Sequence, residues 1–183
     1  IAVASAKVGL PEVLIGLLPG GGGTQRLPRL IGPKLALDLI VSGRHVPAEE
    51  AKGMGILDRV IPADGGLLNA AIAFAEEVAA VRPLPRVRDM NGKLAEAKAN
   101  GDIFAAKKKE IARRARNQIA PYNCIAAVQA ACDLPFDQGL LRERELFNEL
   151  ENSDESKALR YAFFAEREAQ KLPDVPKGTP IRK

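Results

Sequence analysis

Four consecutive glycines follow a proline in the segment PEVLIGLLPGGGGTQRLPRL, residues 11–30, and they limit the possible folds more than any other feature. Glycine loses more conformational freedom on folding than any other residue, so residues 20–23 cannot profitably form a helix or a strand. A backbone without side chains can also approach another group closely. The sequence therefore predicts a loop here that packs tightly or lies against a ligand.

A helix is predicted to begin directly after this loop, near Thr24, or near Leu27 with Pro28 in its first turn. Backbone N–H groups at a helix start carry partial positive charge, so the loop could hold an anion, a carboxylate or a water against a substrate. A tight turn that only packs closely explains the glycines equally well. Two nucleotide-binding motifs are excluded: no Gly-Lys-Ser or Gly-Lys-Thr occurs, and Gln25 or Arg26 stands where G-x-G-x-x-G needs its last glycine.

Glu12 is the only carboxylate of this segment, and its nearest neighbours, Leu10, Pro11 and Val13, are apolar. Apolar surroundings disfavour the charged form of a carboxylate, which suits a group that takes up and releases protons near neutral pH. The alternative is a glutamate at a strand end that points to water, and from the residues alone this is the more common situation. Both interpretations stay open at this point.

The composition argues against several classes of protein. With 183 residues, 46% of them hydrophobic and 27% charged, the chain suits one domain or a domain plus an appendage. Its longest apolar runs are far too short to cross a bilayer. One histidine, His45, and two cysteines, Cys124 and Cys132, argue against a metal site and predict reduced thiols in a cytosol-like compartment. His45 is interpreted as an ordinary surface side chain.

The net charge of +4 suits an anionic ligand, and basic residues are concentrated in one predicted helix. A solvated helix face is the favoured interpretation of this basic block, and a docking site for phosphate groups or nucleic acid is the alternative. An aromatic content of 4% argues against stacking on bases. Residues 142–145 are interpreted as another exposed, salt-bridged helix face. The basic block comprises Lys107, Lys108, Lys109, Arg113, Arg114 and Arg116.

The spacing of apolar residues predicts two short β segments among many helices. Asp102 is expected to cap one helix, and Asn152 with Glu155 to form the capping box of the last one. The β segments are residues 1–8 and 56–61, and the helices are residues 34–42, 47–53, 67–81, 102–119, 123–133, 138–151 and 152–171.

Residues 11–29 resemble the second signature segment of the enoyl-CoA hydratase/isomerase, or crotonase, superfamily. The likeness is carried by Pro-Glu-x-x-x-Gly-Leu-x-Pro, the four glycines and Thr-Gln-Arg-Leu-Pro-Arg, and it continues in order and spacing to residue 60. Later pieces are similar to the stretch that follows the hydratase unit in bifunctional enzymes of fatty-acid β-oxidation. These pieces are Pro-Tyr-Asn at 121–123, Pro-Phe-Asp-Gln-Gly at 135–139, residues 161–168 and Pro-Ile-Arg-Lys at 180–183.

The resemblance implies a reaction and a set of roles. Glu12 would be the second of two catalytic glutamates that deprotonate a water, add it across the 2,3 double bond of a 2-trans-enoyl-CoA and return a proton to the α-carbon. The backbone at Gly20 would help position the water and the glutamate. Pro11, Ile15 and Leu17 would line the acyl pocket, and the product would be a 3-hydroxyacyl-CoA.

The resemblance also implies a helix-rich α/β fold, the C-terminal part of a ββα spiral followed by a helical linker region. Residues 1–82 would complete a hydratase domain, residues 83–171 would form helices that pack on it or follow it, and residues 172–183 would lead to a dinucleotide-binding domain. The first catalytic glutamate and the oxyanion hole would lie upstream of Ile1. The chain alone is therefore expected to be nearly inactive, since each lost oxyanion donor costs about 10²–10³ in rate. The oligomeric state stays open, because an incomplete domain could self-associate through exposed core.

No cofactor is expected in this chain, with acyl-CoA as the substrate and NAD in the dehydrogenase part of the parent enzyme. The expected location is the bacterial cytoplasm, with the peroxisome as the alternative. Two further functions remain open. An enoyl-CoA isomerase would use Glu12 to move a proton between carbons, and a non-catalytic helical interaction module would leave Glu12 as a surface residue.

Overall fold

The computed structural model describes residues 1–99, 102–171 and 179. Helices dominate these residues, and the strands are only two residues long. The strands are β1 (Ala2–Val3), β2 (Lys7–Val8), β3 (Val46–Pro47) and β4 (Val60–Ile61). The helices are α1 (Gly23–Ile31), α2 (Pro33–Ser42), α3 (Ala48–Met54), α4 (Leu67–Ala79), α5 (Gly92–Ala99), α6 (Ile103–Ile111), α7 (Ala120–Asp133), α8 (Phe136–Asn152) and α9 (Asp154–Ala169), with short 3₁₀ helices at Glu12–Ile15 and Val87–Asp89.

The strands form two separate pairs. β1 runs parallel to β4, with Ala2 opposite Val60, and β2 runs antiparallel to β3, with Val8 opposite Val46. The β segment predicted for residues 1–8 is therefore present as two strands with different partners. The strand predicted for residues 56–61 exists only in its last two residues. The helix-rich α/β class is confirmed.

The core is built around α7, which packs against α1, α2 and α8. Small side chains on α7, such as Ala120, Ala127 and Ala131, are buried and let the neighbouring helices approach. Leu37 and Ile40 of α2 belong to the same buried cluster. Helices from both halves of the chain thus share one core. The domain boundaries proposed from the sequence remain predictions, and most of the predicted linker at 172–183 lies outside the described residues.

The helix ends follow local chemistry. Asp102 caps α6, as predicted, by accepting hydrogen bonds from the backbone N–H groups of Phe104 and Ala105. The helix predicted to continue to residue 119 stops at Ile111, and Asn117 adopts a left-handed conformation with φ of 64° before α7 begins. The predicted Asn152–Glu155 capping box is wrong, because Ser153 caps α9 by accepting from Ser156 N–H.

The helix predicted at residues 67–81 is present as α4, and none of its residues is buried. Leu68 is 72% exposed and Ile72 is 50% exposed. On its polar side, Glu77 accepts two hydrogen bonds from Arg59, whose guanidinium also lies over the ring of Phe74. Across the described residues, no helix combines the length and the apolar character needed to pass through a membrane.

The basic block lies on and just after α6, and five of its six side chains are exposed, as a solvated face requires. Lys107 differs, because its side chain is only 11% exposed and its ammonium contacts Asp38 of α2 and Glu110. This contact ties α6 to α2 through a charge-assisted hydrogen bond. The interpretation as a solvated face is therefore confirmed for the other five residues and wrong for Lys107.

Replacing Lys107 with methionine is expected to lower the free energy of unfolding by about 1 kcal/mol, because Asp38 loses its cation while remaining partly solvated. Lys108→Met, at an exposed neighbour on the same helix, is expected to change it by less than about 0.5 kcal/mol. Urea unfolding of both variants at low and high salt measures these changes in the free energy of unfolding. Equal effects of the two variants would show that the contact to Asp38 does not stabilise the fold.

Candidate active site

Glu12 begins the 3₁₀ helix Glu12–Ile15, which directly follows Pro11. Glu12 does not lie at a strand end, so the alternative of a strand-end glutamate that points to water does not apply. The residue is half-buried. Its Oε2 atom is fully buried and has no hydrogen-bond partner among the described residues. A buried carboxylate oxygen normally has a partner, so this one calls for a water, a proton or a donor from a ligand.

A cavity of about 560 Å³ opens beside Glu12. Three of the residues predicted for the site, Pro11, Glu12 and Ile15, line it together. His45, which was interpreted from its neighbours as an ordinary surface side chain, is exposed and contributes to the same wall. The remaining lining residues are Leu14 and five residues of α9, namely Leu159, Ala162, Phe163, Glu166 and Arg167.

Helix α9 forms the wall of the cavity that faces Glu12, and its position is fixed by specific contacts. The hydroxyl of Ser156 donates to the carbonyl of Ile15 over 3.2 Å. The ring of Phe163 lies edge-on to Phe164, with centroids 5.4 Å apart, and the Arg167 guanidinium covers it at 4.2 Å. The cavity therefore combines two carboxylates, Glu12 and the exposed Glu166, with one imidazole, one guanidinium and otherwise apolar walls.

Two of the predicted site residues do not line this cavity. Leu17 is only 9% exposed and belongs to the buried cluster. Gly20 lies against α8, where an added Cβ would stand 2.5 Å from the ring of Phe147. The close approach expected of the glycine loop is thus observed, with an aromatic ring as the neighbour. The catalytic role of Gly20 and the pocket role of Leu17 stay predictions.

Cys124 lies behind Glu12 in the core, fully buried, with its sulfur 4.0 Å from the carbonyl oxygen of Leu17. Burial, and to a smaller extent the negative charge of Glu12, raises the pKa of the Cys124 thiol far above its usual value. The thiol therefore stays protonated and inert at neutral pH.

We expect alkylation by iodoacetamide at pH 8 to modify Cys124 at least about tenfold more slowly than Cys132, which is partly exposed. Peptide mass mapping of the native protein, sampled over time, distinguishes the two sites. In denaturant the two cysteines should react at similar rates, which serves as the control. Rapid native alkylation of Cys124 would show that the core behind Glu12 is open.

The N-terminus of α1 binds a carboxylate supplied by the chain itself. Glu143 of α8 is only 2% exposed. Its Oε1 accepts a hydrogen bond from Gly22 N–H at 2.7 Å, and its Oε2 accepts from Thr24 N–H at 3.1 Å and from the Thr24 hydroxyl. Of the two interpretations left open for the glycine loop, an anion at the helix start is thus observed, as a side chain 121 positions away in the sequence, and close packing is observed as well.

Burial raises the pKa of Glu143, while the hydrogen bonds from Thr24 and Gly22 and the charge of Arg26 oppose that rise. The sequence interpretation of residues 142–145 as an exposed salt-bridged face is wrong for this residue, although Arg142 and Glu145 do pair on the outside at 2.8 Å. Glu143 lies at helical spacing from Gly139, Leu146 and Leu150, which are also buried. This spacing was the available signal in the sequence that Glu143 faces inward.

Comparison with known proteins agrees with the sequence resemblance. The family described as enoyl-CoA hydratase/isomerase matches residues 1–100. Over 171 residues the chain is 45% identical to the peroxisomal bifunctional enzyme of Cavia porcellus, covering 93% of this chain and 23% of that protein. It is 37% identical over 177 residues to the glyoxysomal fatty acid beta-oxidation multifunctional protein MFP-a of Brassica napus, covering 96% and 24%.

Among solved structures, carnitinyl-CoA hydratase from Mycobacterium avium superposes with a TM-score of 0.57 at 29% sequence identity. The superposition covers 90% of this chain and 50% of that one. The chain thus spans about a quarter of the length of the curated relatives it matches. The matched residues 1–100 include Glu12, the glycine loop and His45, whereas α8 and α9 lie beyond them.

Proposed function

We propose that this chain, which belongs to the enoyl-CoA hydratase/isomerase family, carries one of the acid–base carboxylates of an enoyl-CoA hydratase, and that this carboxylate is Glu12. The observation that carries the proposal is the buried Oε2 of Glu12, which has no hydrogen-bond partner within the described part of the chain, at the wall of a cavity of about 560 Å³. A carboxylate with a free acceptor in apolar surroundings can hold a water and take its proton.

The reaction assigned to this site is the addition of water to a 2-trans-enoyl-CoA. The water oxygen bonds to carbon 3 as its proton passes to a carboxylate, the electron pair of the double bond moves to the α-carbon, and a proton is delivered there. The family resemblance assigns these proton transfers to Glu12 together with a second glutamate outside these residues. The apolar side chains of Leu14, Ile15, Leu159 and Phe163 suit the acyl chain.

The proposal is tested by supplying 2-enoyl-CoA and 3-enoyl-CoA thioesters separately to the complete protein that contains this sequence. Separation of the products by liquid chromatography with mass detection is expected to show 3-hydroxyacyl-CoA from the 2-enoyl substrate. Conversion of the 3-enoyl substrate to 2-enoyl-CoA without hydration would favour the isomerase alternative. An absence of any product would favour the non-catalytic helical module and reject the enzyme.

The location and the remaining activities follow from the relatives. Proteins named as peroxisomal and glyoxysomal support a peroxisomal location for this chain over the bacterial cytoplasm. The names "bifunctional" and "fatty acid beta-oxidation" support a parent enzyme that also oxidises the 3-hydroxyacyl product. NAD would then bind outside this chain. Adding NAD⁺ to the hydration assay with the complete protein is expected to yield 3-ketoacyl-CoA and NADH in equal amounts.

A further inference from the structure

We propose that Glu143 is a positioning residue for the hydration reaction, because it fixes the glycine segment, residues 20–24, relative to Glu12 without touching substrate. This proposal rests on the function proposed above. Glu143 lies on α8, which the family match to residues 1–100 does not include. The site would therefore depend on a helix that follows the matched region.

At the glycine end, α8 holds the segment with two side chains one helical turn apart. The Glu143 carboxylate accepts three hydrogen bonds, two from Gly22 and Thr24 N–H groups and one from the Thr24 hydroxyl. The Phe147 ring packs on Gly20 so closely that only a residue without a side chain fits there. Residues 20–24 are thereby fixed by a buried charge on one side and by an aromatic ring on the other.

Helix α9 holds the other end of the segment, at Glu12. α9 follows α8 after Ser153, and the Ser156 hydroxyl donates to the Ile15 carbonyl in the 3₁₀ helix that begins with Glu12. Leu10, which lies two residues before Glu12, connects the two ends by packing against Gly23, since an added Cβ at that glycine would stand 3.2 Å from a Leu10 methyl group. Helices α8 and α9 thus clamp residues 12–24 at both ends.

The chemistry of the contact requires a carboxylate. The groups that donate hydrogen bonds to Glu143 are two backbone N–H groups and a hydroxyl at the start of α1, where the helix dipole and the charge of Arg26 also favour a negative group. A glutamine would present an NH₂ group to at least one donor and would break that bond. The loop would remain buried but shift, and displacements of about 1 Å near reacting groups cost about 10²-fold in rate.

The test compares Glu143→Gln, Glu143→Asp and wild type in the complete protein, with Glu145→Gln on the exposed face of α8 as the matched control. With crotonyl-CoA as substrate, we expect Glu143→Gln to lower kcat at least about tenfold while KM changes less than about threefold. Glu143→Asp keeps the charge and should recover part of kcat. Glu145→Gln should behave as wild type, because Glu145 is exposed and pairs only with Arg142 among the described residues.

Amide hydrogen exchange provides a readout that does not depend on turnover. Glu143→Gln is expected to speed exchange at Gly22 and Thr24 and also at Gly16 and Leu17, which lie beside Glu12. Should Glu143→Gln fail to fold, Thr24→Val removes the hydroxyl that donates to Glu143 and accepts from Gln25, but it leaves both backbone N–H donors in place. It is expected to lower kcat and speed the same amides to a smaller degree. A folded variant with slower turnover and faster exchange at both places supports the proposal.

Three results would overturn it. If wild type hydrates crotonyl-CoA and folded Glu143→Gln has kcat within twofold of it, the positioning role fails and the proposed function stands. If exchange accelerates only at Gly22 and Thr24, Glu143 stabilises the loop without positioning Glu12. If the complete wild-type protein produces no 3-hydroxyacyl-CoA, the proposed function fails, and the role of Glu143 in it fails as well.

Discussion

Glu12→Gln in the complete protein is expected to lower kcat for hydration of crotonyl-CoA by about 10³-fold or more. Glutamine has nearly the same shape as glutamate, but its amide cannot take a proton from water or return one to carbon. General acid–base groups contribute typically about 10²–10⁴ in rate. Steady-state kinetics with quantified 3-hydroxyacyl-CoA measures the effect. KM and the circular dichroism spectrum should change little, because the side-chain volume is preserved.

The control for this variant is Glu49→Gln, which changes an exposed glutamate in the first turn of α3. It should leave kcat within about twofold of wild type. Full activity in Glu12→Gln would make Glu12 a bystander and would return the non-catalytic module to the leading position. Equal loss of hydration and isomerisation would show that one carboxylate serves both reactions.

The sequence predicted those features that depend on neighbours along the chain. The helix predicted at residues 34–42 from apolar residues at helical spacing is observed as α2, and it ends at Gly43 in a left-handed conformation. Asp102 was identifiable as a cap because an N-cap acts on residues two or three positions away. Glu12 and Ile15 face the same cavity because a 3₁₀ helix brings residues three apart to the same side, and Pro11 directly precedes Glu12.

Features that depend on distant residues could not be predicted in this way. Glu143 looked like one charge in an Arg-Glu-Arg-Glu pattern, and nothing in those four letters indicates that Gly22 and Thr24 lie above it. The same holds for Phe163 and Leu159, whose contribution to the cavity requires α9 to fold back onto the Glu12 helix. Lys107 was misassigned because its partner Asp38 lies on another helix.

Helix α2 links the core to the site, since it packs against α1, α7 and the 3₁₀ helix that begins with Glu12. Two leucines on α2 differ in exposure, with Leu37 at 1% and Leu35 at 40%. Leu37 belongs to the buried cluster. Any change at Leu37 therefore acts on the support of Glu12, whereas the same change at Leu35 leaves that support in place.

Leu37→Ala is expected to lower the free energy of unfolding by about 2–5 kcal/mol, because it removes buried methyl groups and leaves a cavity. Leu35→Ala should cost less than about 1 kcal/mol, since much of that side chain already contacts water. For a chain of this size the loss in Leu37→Ala corresponds to a fall in Tm of roughly 4–20 °C. Urea and thermal unfolding followed by circular dichroism measure both variants at matched concentration. Equal destabilisation by the two substitutions would mean that α2 does not pack into the core through Leu37. The support for Glu12 would then have to come from α7 and α9, and Ser156→Ala would become the variant that loosens the site.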